Sequence, residues 1–383
     1  MSSTRWSLSR RSAAGDQSRP VSYGQYRLGF RPGLDGLRGL AIIAVLGVHA
    51  TYLWEPYDAA KFIPGGYISV DVFFALSGFL ITSLLLTEIT KTGGISLRGF
   101  YRRRALRLLP VLYAMLAVQL LYTIIEGDPL WETFKGTLLI VAYISNWAQV
   151  FHWAQPFGTQ QTWSLGVEEQ FYLLWPLLLV GITRLSTRRR QIVPFVVLIG
   201  SALFFRELLW HLNVHYFTIY VQTEVRLDVL IGGGLLAYLL HTGWQPPAWT
   251  RQLGYACLIF LVVMVSFVPV SSPWLYHYAG FTVVAFAATG VVFLAMEQES
   301  WFGRFLATPW MQAIGRRTYS LYIMHYLIYL AVVRAMIPDP PGERLAVGLV
   351  LTVVVSEITH RFLEVPFLNL KNRRQPKTVG AGP

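Results

Sequence analysis

Apolar residues along the chain gather into long blocks rather than alternating with polar ones. Blocks near 37–54, 68–88, 106–125, 134–150, 165–183, 192–210, 222–240, 253–269, 277–296, 318–337 and 344–360 all approach the length a helix needs to cross a bilayer. Strand-like alternation is absent, and hydrocarbon cannot satisfy an open backbone, so each block is expected to be helical. No internal repeat is visible. The pattern predicts an all-α polytopic membrane protein.

Charges between the blocks decide how many of them cross. Positive residues favour the cytosolic side of a membrane. The N-terminal segment carries Arg5, Arg10, Arg11, Arg19, Arg27 and Arg31, and 89–105 carries Lys91, Arg98, Arg102, Arg103 and Arg104. The segments 55–66 and 126–133 hold five acids and only Lys61 as a base, and belong outside. If all eleven blocks crossed, Arg184, Arg188–Arg190, Arg316, Arg317 and the basic C-terminal tail would face outward. Block 134–150 is short, is interrupted by Asn146, and runs into a Trp- and Gln-rich stretch ending at Gln161. Taking 134–161 as a re-entrant or interfacial element returns every basic cluster to the cytosol. The expectation is therefore about ten transmembrane helices plus one segment that does not cross, N-in and C-in, in the cytoplasmic membrane. Residues 1–31 and 367–383 are expected to be basic cytosolic tails around a membrane domain of 32–366.

Composition agrees. Hydrophobic residues make up 54% and charged residues 14%, against about 25% charged in soluble domains. The net charge of +12 sits in short segments between apolar blocks, without a nucleic-acid motif, so no nucleic-acid partner is expected. The single cysteine, Cys257, excludes an intramolecular disulfide, and the eight histidines lack ligand spacing, so no metal site is expected. Residues 1–31 contain no apolar stretch, so no cleavable signal peptide is expected.

Ionisable groups inside the blocks are costly, which makes each a functional candidate. Arg38 and His49 lie on the first, about 16 Å apart along a helix and on nearly one face. A structural reading of each exists: snorkelling for Arg38, a helix-end hydrogen bond for His49. Asp71 opens the second block at a depth comparable with His49, where it would orient a histidine or simply favour a helix start. Arg102, Arg103, Arg104 and Arg107 follow; they suit a polyanion such as coenzyme A, or mere topology. Gln161–Tyr172 then carries Trp163, Ser164, Glu168 and Glu169 into an apolar helix. Glu224, Arg226 and Asp228 read as an internal ion network, and His325 as a core hydrogen-bonding group or a catalytic one.

Together these blocks resemble the acyltransferase-3 family of bacterial membrane O-acyltransferases, from about Arg31 to Pro366. The carrying pieces are Arg38-x10-His49, the G-x-x-x-V-D-x-F-F-x-L-S-G-F-L-I block around Asp71, and Arg104-x-x-Arg107 before Pro110. The W-S-L-x-x-E-x-Q-F-Y block from Trp163 and the Y-S-L-Y-x-x-H block ending at His325 complete the set. The resemblance implies ten membrane helices in a stand-alone form. It also implies transfer of an acyl group, often acetyl, from cytosolic acyl-coenzyme A to a hydroxyl of a glycan, glycolipid or secondary metabolite. On that reading His49 is the base, with Glu168 or Asp71 orienting it. Arg103, Arg104 and Arg107 hold the coenzyme, and Arg38 positions the donor or steadies its oxyanion. Trp163, Ser164 and Glu169 line the substrate. No permanently bound cofactor is expected. A transporter or a non-catalytic membrane sensor would share the buried charges. A transporter would more often show inverted repeats, and a sensor would not need the histidine and acids together.

Overall fold

Helices supply all the regular structure among the described residues of the computed structural model, which are Tyr23, Tyr26, 28–54, 63–337 and 339–373. Most of the expected N-terminal tail, the loop residues Glu55, Asp58 and Lys61, and the chain beyond Arg373 lie outside them. The long helices are α1 (Pro32–His49), α2 (Ser69–Thr92), α3 (Leu97–Glu126), α4 (Leu130–Val141), α5 (Thr162–Thr183) and α6 (Arg188–His211). They continue with α7 (Leu227–His241), α8 (Trp249–Phe267), α9 (Gly280–Met296), α10 (Pro309–Ala335) and α11 (Pro341–Thr359).

Local chemistry sets several ends. Pro32 and Pro309 stand in the first turns of their helices, where a missing N–H costs nothing. Ser96 accepts from the Gly99 amide to cap α3, and Gly93 ends α2 in the left-handed conformation. Among the described residues, seven helices are long and apolar enough to cross a membrane. Helices α7 and α9 are shorter, with 15 and 17 residues. Helix α10 is long but rich in tyrosine, with arginines in its first half. The faces that α3, α6, α8 and α11 turn outward are apolar, with Leu121, Val197, Ile259 and Val353 all more than half exposed. Such a belt is costly in water and suited to lipid.

The block 134–150 does not form one helix. It divides into α4, of 12 residues, and a short helix Ser145–Val150, with Tyr143 between them at φ 56°. Gln170 of α5 secures the break by donating to the Tyr143 carbonyl (2.8 Å) and to Asn146 Oδ1 (2.9 Å).

Helix directions follow from paired contacts. Along α1 and α10, Gly39 faces Met311 and Gly315, His49 meets His325, and Leu53 beyond α1 clusters with Tyr329. Numbers rise together, so the two run parallel. Helices α2 and α7 are also parallel: Asp71 meets Arg226, and Gly78 meets Leu230. Helices α2 and α5 pair Ser77 with Glu168 and Thr82 with Trp175, again parallel. Helices α3 and α5 are antiparallel, since Tyr101 reaches Leu173 while Arg104 reaches Glu169.

The close crossings depend on glycine. A Cβ at Gly315 would strike the Asp35 carbonyl, and one at Gly39 the Met311 carbonyl. Gly78 and Gly233 do the same between α2 and α7, against Leu230 and Ala75. Small residues that let backbones approach are the usual basis of helix packing in lipid.

Candidate active site

A cavity of about 690 Å³ opens between α2, α3, α5 and α10. Glu88, Lys91 and Arg103 line one end; the apolar wall comes from α2, through Phe73, Leu80 and Leu84. Arg38, Arg104, Arg107, Arg316 and Glu168 line its middle, and Ser164 and Tyr322 its inner end.

The arginines divide by partner. Arg104 donates to Glu169 Oε1 at 2.9 and 3.2 Å and lies flat over the Tyr172 ring, 3.4 Å from its centroid. Arg103 pairs with Glu88 at 3.2 Å, and Arg38 with Asp35 one turn before it at 2.7 Å. Arg107, Arg316 and Lys91 make no hydrogen bond or ion pair with any described residue. Three uncommitted cations on this lining suit a ligand with several phosphates.

Glu168 accepts from Ser77 (2.8 Å) and from the Tyr172 hydroxyl (3.2 Å). Opposite it, Glu364 accepts from Ser320 (2.8 Å) and His360 (3.0 Å). It ends a single π-helical turn, His360–Glu364, a departure from α geometry common at functional sites. At the inner end the Ser164 and Tyr322 hydroxyls lie 2.5 Å apart, and both reach the Gln161 carbonyl.

Beyond Tyr322, and outside the cavity lining, stand two histidines. His325 Nε2 is 3.0 Å from His49 Nδ1. His325 is fully buried and its Nδ1 lies 2.8 Å from the Tyr322 carbonyl. The His49 ring, partly exposed, packs edge-on against Tyr326 and stacks towards Tyr52.

A family model described as an acyltransferase domain matches residues 31–361. The chain belongs to the acyltransferase-3 family. It is 31% identical over 363 residues to the O-acetyltransferase OatA of Staphylococcus aureus strain NCTC 8325, an alignment covering 88% of this chain and 57% of that one. It is 28% identical, with 89% and 58% covered, to a putative O-acetyltransferase of strain MSSA476. The chain thus spans under two thirds of the length of these curated relatives. No solved structure matches.

Within this frame the residues expected to act together separate into three groups. His49 meets His325, not Glu168 or Asp71. Asp71 is 2% exposed and pairs with Arg226 at 3.1 Å, beside a second buried pair, Arg206 and Asp228, at 2.6 Å. Glu224 is absent from both pairs. Trp163 packs against Phe74 and Tyr220 and is not itself part of the cavity lining. Glu169 is taken up by Arg104. Tyr322, Ser77, Arg316 and Glu364 were not foreseen as site residues; the first three stand inside the motif blocks or beside them. Against the expectation of no metal spacing, Glu207, His211 and His277 present ligand atoms within 4.8 Å of one another. Glu207 and His277 already hydrogen-bond at 2.5 Å.

Proposed function

We propose that the chain moves an acetyl group from acetyl-coenzyme A at the cytosolic face to a hydroxyl of a glycan or glycolipid at the outer face. The observation that carries this reading is the alignment of two sites along α10. A cavity lined by free cations ends at Tyr322, one turn from a histidine pair on the other side.

The chemistry requires a hydroxyl oxygen to attack the thioester carbonyl. The O–C bond forms, the C–S bond breaks, the hydroxyl proton passes to His49, and the thiolate leaves with coenzyme A. General-base assistance of this kind contributes about 10²–10⁴-fold. Arg107, Arg316 and Lys91 hold the coenzyme phosphates, and the pantetheine arm lies along Leu84, Leu80 and Phe73. Arg38 and Glu168 flank the arm's path. The Tyr322–Ser164 hydrogen bond closes the inner end, so transfer requires that pair to part. The relatives' name, O-acetyltransferase, supports acetyl as the group moved.

The ten-crossing topology is part of the proposal. If block 134–150 crossed, α5 would run parallel to α3, but Tyr101–Leu173 and Arg104–Glu169 make them antiparallel. The same non-crossing is required for α7 to run with α2 and α10 with α1. At about 1.5 Å per residue α4 spans only some 18 Å, short of a roughly 30 Å hydrocarbon core. With 134–161 off the count, both termini lie in the cytosol.

Purified protein in proteoliposomes, given acetyl-coenzyme A and chitotriose, is expected to release free thiol and form acetylated sugar. His49→Ala is expected to abolish both at unchanged protein level. Transfer by His49→Ala sinks the assignment, and binding of acetyl-coenzyme A without turnover points instead to a sensor.

A further inference from the structure

We infer that His325 is a positioning residue that fixes the His49 ring in the tautomer whose Nε2 is free to take a proton. The inference rests on the reading of His49 as the base, and it names the nitrogen that acts.

The argument begins at a backbone carbonyl. His325 Nδ1 lies 2.8 Å from the Tyr322 oxygen and 3.2 Å from the Leu321 oxygen. A carbonyl oxygen has no proton to give, so this nitrogen must be the donor. A neutral imidazole carries one N–H, which leaves His325 Nε2 with a lone pair. That lone pair faces His49 Nδ1 at 3.0 Å. A contact of that length needs one proton, and only His49 can supply it. The proton of a neutral His49 is therefore on Nδ1, and its Nε2 is the accepting atom. Two protons on His325 would reverse the bond. They would also place a positive charge at a fully buried ring with tyrosine neighbours and no carboxylate touching it.

The frame holding this relay is rigid. Gly39 and Gly315 let α1 and α10 touch, and each histidine follows its glycine by ten residues on parallel helices. Tyr326 packs edge-on against both imidazoles. When His49 gains its second proton at Nε2, the Nδ1–H bond to His325 becomes charge-assisted and strengthens. The His325 acceptor thus supports both the starting tautomer and the imidazolium. In serine hydrolases loss of the corresponding tautomer control costs about 10⁴ in kcat.

The test compares two replacements of similar bulk. His325→Leu removes the acceptor, and His325→Gln presents Oε1 where Nε2 stood. With acetyl-coenzyme A and chitotriose, His325→Leu is expected to lose at least about 100-fold in kcat, in the range of general-base effects, with KM for acetyl-coenzyme A unchanged within about twofold. His325→Gln is expected to recover most of the loss. Nitrogen-15 spectra of histidine-labelled protein in lipid, with the His49 signals assigned from their absence in His49→Gln, should show Nδ1 protonated and Nε2 bare. Full activity of His325→Leu beside an inactive His49→Ala overturns the inference and leaves the base intact. An active His49→Ala overturns the reading beneath it. A proton found on His49 Nε2 overturns the inference even if His325→Leu cannot be recovered folded.

Discussion

Arg104 and Arg107 sit one turn apart on α3 and look interchangeable in the sequence, yet their surroundings divide their work. Arg104 is committed to Glu169 and to the Tyr172 face, whereas Arg107 faces the cavity unpaired. Removing one member of a largely buried pair leaves the other uncompensated and costs about 3–5 kcal/mol. Arg104→Ala is therefore expected to lower the melting temperature and the yield of folded protein. Arg107→Ala should leave both unchanged and raise KM for acetyl-coenzyme A about 10-fold or more, as loss of a charged hydrogen bond of about 1.5–3 kcal/mol implies. Equal melting temperatures for the two variants would refute the division. Residue types were legible in the sequence: Arg38 and Glu168 stand out against apolar blocks, and Arg104 closes a basic run. Partners were not. Asp71 meets Arg226 and His49 meets His325 across long stretches of chain, and no local pattern encodes which of several buried charges a given group will face.

Apolar blocks announced most elements because lipid demands continuous hydrophobic helices. Their ends were harder to read. Helix α10 starts at Pro309 rather than near 318, since two arginines that read as a loop are absorbed into it. Arg316 lines the cavity and Arg317 pairs with Glu357 of α11. The glycines that join α1 to α10 were likewise visible as letters but not as contacts. Their importance can be measured. A side chain at Gly315 would meet the Asp35 backbone, which cannot swing aside as a flexible side chain can. Gly315→Leu is expected to cost at least about 1–3 kcal/mol through overpacking and to abolish acetyl transfer by separating His49 from His325. Gly200, with open space around it, serves as the control, and Gly200→Leu should be nearly silent in both assays. Indistinguishable thermal stabilities would show that the crossing tolerates a wider gap.

For the whole molecule, loop charges and helix directions both favour the proposed topology. Charges require an odd number of blocks to stay out of the count; the antiparallel run of α3 and α5 points to 134–150. Single cysteines at Ser186 and Thr242, introduced with Cys257 replaced by Ala, are expected to react with a membrane-impermeant maleimide only after the membrane is opened. Labelling of intact cells at either position would overturn the orientation.

The closed end of the cavity also has an electrical consequence. In the proposed orientation, a cavity filled with water from the cytosol as far as Tyr322 would carry the cytosolic potential into the bundle, so the voltage would fall mainly between Tyr322 and the far side of His49. Moving one elementary charge through that gap involves about 2.3 kcal/mol per 100 mV. On the proposed reading the coenzyme's phosphates stay on the cytosolic side of the drop. An acetyl group is neutral and passes through without exchanging work with the field. Two charges are left to feel the voltage, the proton taken by His49 and the thiolate left on the coenzyme, and their routes out decide whether the reaction runs faster or slower in an energised cell.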